Sequence, residues 1–144
     1  MIATVALSTA APANAQRTDD PVASGEVIQT AFHDFRVVEV ADGLINPHSI
    51  AFLPNGDVLV TERPGRLRII RDDVLLPRPV EGLPPILALG QGAMSLNGLE
   101  QAGLREVRLH PNFAENRLLY LSYVKPGAGG LGTLAVARGR YEND

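Results

Sequence analysis

The chain has 144 residues, 45% of them hydrophobic, and a formal net charge of −3. That size suits one ordinary domain, and that apolar share excludes disorder of the whole chain. The slight acidity gives no electrostatic reason to expect nucleic acid. The lack of cysteine removes disulfide and thiol chemistry, and no apolar run is long enough to span a membrane.

The N-terminus comes first. Ile2 to Leu7 is apolar, Ser8 to Ala13 is rich in small residues, and Ala13-Asn14-Ala15 fits a small-x-small cleavage site. Residues 1–15 therefore read as the end of a secretory signal peptide lacking its basic start, and place the protein in the periplasm or outside the cell. Residues 16–34 read as a polar linker. From residue 35 the pattern is β. Phe35 to Val40 is the first strand, closed by Asp42-Gly43, and Leu44-Ile45-Asn46-Pro47-His48 leads into a hairpin over Ile50–Arg63. There Pro54-Asn55-Gly56-Asp57 supplies the turn, because Pro fixes φ and Gly accepts positive φ. Val58-Leu59-Val60 returns as a second strand. Arg66 to Ile70 makes a third, and alternation puts Arg66 and Arg68 on one face, read as solvated rather than as a basic patch. Asp72-Asp73 turns, and Val74-Leu75-Leu76 follows.

Four prolines between Pro77 and Gly90 exclude a helix or central strand there. Gly90 to Leu104 reads as a functional loop, with at most one helical turn over Ser95–Leu104. A second hairpin, Val107 to Tyr123, repeats the first: a strand runs into Pro111-Asn112 and an apolar strand leaves it. Thr133 to Tyr141 alternates as a further strand, and Glu142-Asn143-Asp144 opens a turn. Short strands, repeated units of about four strands and no long helix predict an all-β chain, and a β-propeller in preference to a sandwich. About two blades are present. Such units do not bury their faces alone, so the chain reads as the first part of a longer protein.

The string Leu44 to Gly56, followed by Leu59-Val60-Thr61-Glu62-Arg63-Pro64-Gly65-Arg66-Leu67, resembles the first blade of the soluble glucose/sorbosone dehydrogenase family. Gly90-Gln91-Gly92, then Leu109 to Arg117 and Leu119 to Tyr123, resembles that family's next segment. The likeness covers Phe35 to Tyr141. It implies a six-bladed propeller holding PQQ over a central channel. It also implies oxidation of the C1 hydroxyl of an aldose sugar to the lactone, with electrons passed to an external acceptor. A histidine is the general base of that chemistry, since imidazole titrates near working pH. The family's base sits in an Asn/Asp-His motif followed by Gly and Arg, which these 144 residues lack, so the chain alone is expected to be inactive. Calcium is allowed in the full-length protein, with ligands outside this chain. Ala93 to Leu104 looks like an insertion relative to the family.

Gln91 is the residue the resemblance assigns to the cofactor: its amide offers two donors and an acceptor, and its glycine neighbours let backbone approach closely. Other candidates have plainer readings. His48 and His110 flank prolines, and His110 falls where Leu53 sits in the first hairpin, so both read as structural. His33 reads as exposed. Glu62 and Arg63 form an ion pair or line a channel. Asp19-Asp20, Asp72-Asp73, Asn55 and Asn112 are turn residues, and Met94 is packing. Two rivals use the same fold: a non-enzymatic propeller scaffold resembling NHL repeats, and a calcium-dependent propeller lactonase.

Overall fold

A computed structural model describes residues 25–88 and 102–142. The expectations for the signal sequence, Asp19-Asp20, Gly90-Gln91-Gly92, Met94 and most of the apparent insertion lie outside those residues. The chain divides into two compact units, residues 1–38 and 39–144.

In the first unit a minimal hairpin pairs β1 (Val27–Ile28) with β2 (Phe35–Arg36), antiparallel. Its loop is held by the Thr30 hydroxyl, which donates to the His33 carbonyl at 2.5 Å and accepts the His33 N–H at 3.2 Å. His33 is exposed. The strand expected over Phe35–Val40 is thus confined to Phe35–Arg36, and its partner comes from the stretch read as linker.

The second unit holds two antiparallel sheets. The first has the order β3 (Pro47–Phe52), β4 (Val58–Glu62), β5 (Arg66–Arg71), β6 (Val74–Leu75). The other has the order β7 (Leu104–Leu109), β8 (Leu118–Pro126), β9 (Gly132–Arg140). Neighbours in sequence are neighbours in space, as turn-linked strands require. Between β3 and β4 the turn forms as its residues dictate: Gly56 has φ 93° and donates to the Leu53 carbonyl at 3.0 Å, and Asn55 Oδ1 accepts the Asp57 N–H. Between β5 and β6, Asp72 and Asp73 stand at φ 49° and 60°. That is the two-residue hairpin turn matching the right-handed twist of its strands.

Strand alternation sorts the side chains. Ala51, Leu59, Leu67 and Ile69 occupy one face of the first sheet and meet Leu104, Val107, Leu119, Leu121 and Tyr123 of the second, with Phe113 and Tyr141 closing the edge. Each fully buried Leu contributes roughly 1.5–3 kcal/mol. Hydrogen bonds cross the same seam. Buried Thr61 accepts the Ser49 N–H through Oγ1 at 2.9 Å and donates to the Arg105 carbonyl at 2.5 Å. Both strands at this seam carry irregular register, between Pro47 and Ser49 in β3 and between Leu104 and Val107 in β7.

Three expectations need correction. Leu104, read as the last residue of the loop, begins β7 and is fully buried in the core. The second hairpin is not a copy of the first: one helical turn, α1 (Phe113–Asn116), intervenes and buries Phe113. Arg66 and Arg68 do not share a solvated face, for reasons that lie in Glu62.

Candidate functional site

Antiparallel alternation brings one set of strand ends together: the starts of β3, β5, β7 and β9, and the ends of β4 and β8. The described residues on either side of the segment carrying Gln91 lie here. Its two flanks are joined directly, since Gly103 donates its N–H to the Leu87 carbonyl at 2.9 Å. Both are sewn to β8: Leu87 donates to the Val124 carbonyl at 2.8 Å, and Val124 donates to the Gly103 carbonyl at 3.1 Å. Gly103 has φ 106°, and a Cβ there would fall inside the Arg63 carbonyl. Only glycine lets these two backbones meet. The Arg63 guanidinium reaches the Ala102 carbonyl at 3.5 Å, so Arg63 braces the same junction and does not pair with Glu62. Gln91 itself lies outside the described residues.

Glu62 is the buried charge of this end, with none of its side chain exposed. Oε1 accepts the Ile45 N–H at 2.6 Å, and Oε2 accepts from Arg66 Nε at 2.5 Å and Arg68 Nη1 at 3.5 Å. Arg68 is only 11% exposed and also donates to the Leu76 carbonyl at 2.9 Å. A carboxylate enters a protein interior only with partners of this kind. Register made the cluster: Glu62 pairs with Arg66 across β4–β5, and Arg68 follows two residues on, on the same face. Alternation revealed that shared face, but not that the Ile45 N–H and the Leu76 carbonyl bond to it. Arg66 Nη2 and Arg68 Nε are buried with no protein partner.

At the opposite end the chemistry is structural. His110 Nδ1 accepts the Asn112 N–H at 3.0 Å, meets Asn116 Nδ2 at 2.9 Å, and its ring stacks on Tyr120. The imidazole caps the α1 turn, which Leu53 in the first hairpin has no turn to require. Asp57 is buried and takes three bonds from Arg71, Nη2 to Oδ2 at 2.6 Å and Nε to Oδ1 at 2.9 Å and to Oδ2 at 3.2 Å. Those bonds from Arg71, against the opposing effect of burial and with help from the Asn55 amide, hold the carboxyl below its ordinary range. Asn112 caps nothing with its side chain. His48 is exposed on β3. Among the described residues no group of three or more His, Cys, Asp or Glu side chains is placed to hold a metal ion.

Short antiparallel sheets, stacked face to face and joined in sequence order, are blades of a β-propeller, of which this chain forms a part. The glucose/sorbosone dehydrogenase family model matches residues 44–144, and the chain belongs to that family. It is 38% identical over 104 residues to the aldose sugar dehydrogenase YliI of Escherichia coli strain K12, a match covering 72% of this chain and 25% of that protein. A crystal structure of a glucose dehydrogenase superposes with a TM-score of 0.61 at 42% identity, over 73% of this chain and 28% of that one. The PQQ-bound aldose sugar dehydrogenase of Streptomyces coelicolor shares the fold, with a TM-score of 0.54 at 24% identity, over 72% and 27% of the respective chains. The chain spans about a quarter of the length of the curated relatives it matches.

Proposed function

We propose that this chain is part of an exported, PQQ-dependent dehydrogenase that oxidises the C1 hydroxyl of aldoses to lactones and passes the electrons to an external acceptor. Membership of the glucose/sorbosone dehydrogenase family over residues 44–144 is the observation that carries the reading. When bound, PQQ supplies the two-electron chemistry; the protein binds, orients and polarises. PQQ is a tricarboxylate quinone, so its holder needs cations and amide donors. Arg63, whose guanidinium lies at the junction of Ala102 and Gly103, would offer one such cation. Gln91 would donate its amide to cofactor oxygens. The joined flanks at Leu87 and Gly103 would keep its segment at one place on the rim, and Thr61 would keep β3 and β7 in register below it. The general base, most of the cofactor contacts and any calcium ligands belong to residues outside this chain.

Titrating the full-length apoprotein with PQQ, and following dye reduction with aldoses, tests the reading. Saturable, aldose-dependent reduction is expected. Absence of cofactor-dependent turnover would leave the non-enzymatic scaffold, and calcium-dependent lactone hydrolysis in its place would select the lactonase. Export is tested separately: N-terminal sequencing of the mature protein should begin at Gln16.

A further inference from the structure

Residues 86–88 pass between the β4–β5 turn and the start of β9, with alternate side chains turned to opposite glycines. A Cβ on Gly65, in that turn, would stand 3.5 Å from Ile86 Cγ2 and 3.7 Å from Ala88 Cβ, which is ordinary contact. Leu87 turns the other way, onto Gly132, the first residue of β9. There the fit has no slack. A Cβ on Gly132 would overlap Val124 Cγ1 and come within 2.8 Å of Leu87 Cδ2. Gly132 does not occupy the left-handed region, so its missing side chain serves room and not backbone conformation.

The two side chains that fill the space over Gly132 belong to the residues that hold the rim junction together. Leu87 donates to the Val124 carbonyl at 2.8 Å, Val124 to the Gly103 carbonyl at 3.1 Å, and Gly103 to the Leu87 carbonyl at 2.9 Å. Gly103 in turn lies against the Arg63 carbonyl, and the Arg63 guanidinium reaches Ala102. Val124 is β-branched and stiff at χ1, so a methyl group pressed against it is relieved mainly through its backbone. That backbone is the one bonded to both Leu87 and Gly103.

We infer that Gly132 is a positioning residue for the cofactor: its bare Cα seats Val124 and Leu87 and, through Gly103, sets where Arg63 presents its guanidinium. The inference rests on the proposed PQQ-dependent reading for the identity of that cofactor. Gly139, on the same strand, marks the contrast. A Cβ there meets nothing closer than Leu119 Cδ1 at 3.9 Å and touches no part of the junction. The role therefore belongs to the glycine that faces Leu87 and Val124, not to glycine in β9 at large.

The test uses the full-length apoprotein, with PQQ affinity measured by equilibrium dialysis and hydrogen exchange followed on the same variants. Gly132→Ala should weaken PQQ binding roughly tenfold and speed exchange in the peptides carrying Leu87, Gly103 and Val124, leaving β3 to β5 unchanged. Gly139→Ala should alter neither. Val124→Ala removes the overlapping methyl group, so Gly132→Ala with Val124→Ala should recover most of the affinity, whereas two unconnected structural losses would add. A Gly132→Ala protein that binds PQQ as the wild type does overturns the inference, and so does a double variant weaker than either single one. If the wild type itself binds no PQQ, the proposed function fails separately, and exchange still decides the seating role: faster exchange confined to the junction supports it, and a Gly132→Ala pattern matching that of Gly139→Ala overturns it.

Discussion

Glu62 shows how much one side chain can decide. Its carboxylate is fully buried and joins Ile45, Arg66 and Arg68. Replacing it by Ala leaves the Arg68 guanidinium buried with no counter-charge, only the Leu76 carbonyl. Glu62→Ala should therefore cost about 3–5 kcal/mol, read from urea denaturation, because an uncompensated interior charge costs more than the pair contributes. Glu62→Gln, which keeps an acceptor for the Ile45 N–H, should cost less. Asp57 behaves differently with pH. Its carboxyl titrates lower in the folded protein than in the unfolded chain, owing first to the bonds from Arg71. Its contribution is therefore present above the unfolded carboxyl value of about 4 and is lost as pH falls through the lower folded value. Asp57→Asn should lower Tm at neutral pH, and the difference from the wild type should shrink in acid. A difference that stayed constant from pH 7 to pH 2 would contradict this account. Neither role was legible in the sequence. Glu62 read as pairing with Arg63 or lining a channel, and Asp57 as a turn residue, because burial is a property of what packs on top.

Elements repeat the lesson one level up. The β5–β6 turn places Asp72 and Asp73 in the left-handed region, where a side chain costs about 1–2 kcal/mol relative to glycine. Asp73→Gly should raise stability by roughly 0.5–1 kcal/mol, since Asp-Gly suits this turn and unfolded-state entropy takes back part of the gain. The same denaturation series measures it. Gly103 is the opposite case. Its positive φ and the Arg63 carbonyl beside it leave no room for a methyl group. Gly103→Ala should cost about 3 kcal/mol or more and loosen the junction at Leu87 and Val124. Strand positions were readable because alternation and turn chemistry are local: β4, β5, β8 and β9 fall within a few residues of where period-two patterning puts them. The α1 turn was missed because its capping group, the His110 ring, looks like any other residue until its Nδ1 is seen to accept the Asn112 N–H.

At the largest scale, the two sheets of the second unit share one core, and part of each outer face carries apolar side chains. Ile50 and Phe52 stand exposed on the first, Leu134 and Val136 on the second. Large apolar side chains clustered in such positions mark surfaces that take part in an interaction. The 144-residue chain supplied with PQQ should reduce no dye with any aldose; turnover by this chain alone would place the general base within it. Read by itself, the sequence determined the all-β class, the hairpin positions and the family, because each rests on local periodicity or on an ordered string of residues. Tertiary structure alone decided which charges lie inside, which glycine two backbones require, and that the His110 ring accepts from the turn it faces. Those depend on contacts between residues far apart in the chain, and a linear pattern does not encode what the opposite sheet brings to meet them. Gln91, the one cofactor contact assigned from resemblance, stands outside the described residues, and only the closed base from which its segment springs is placed by the fold.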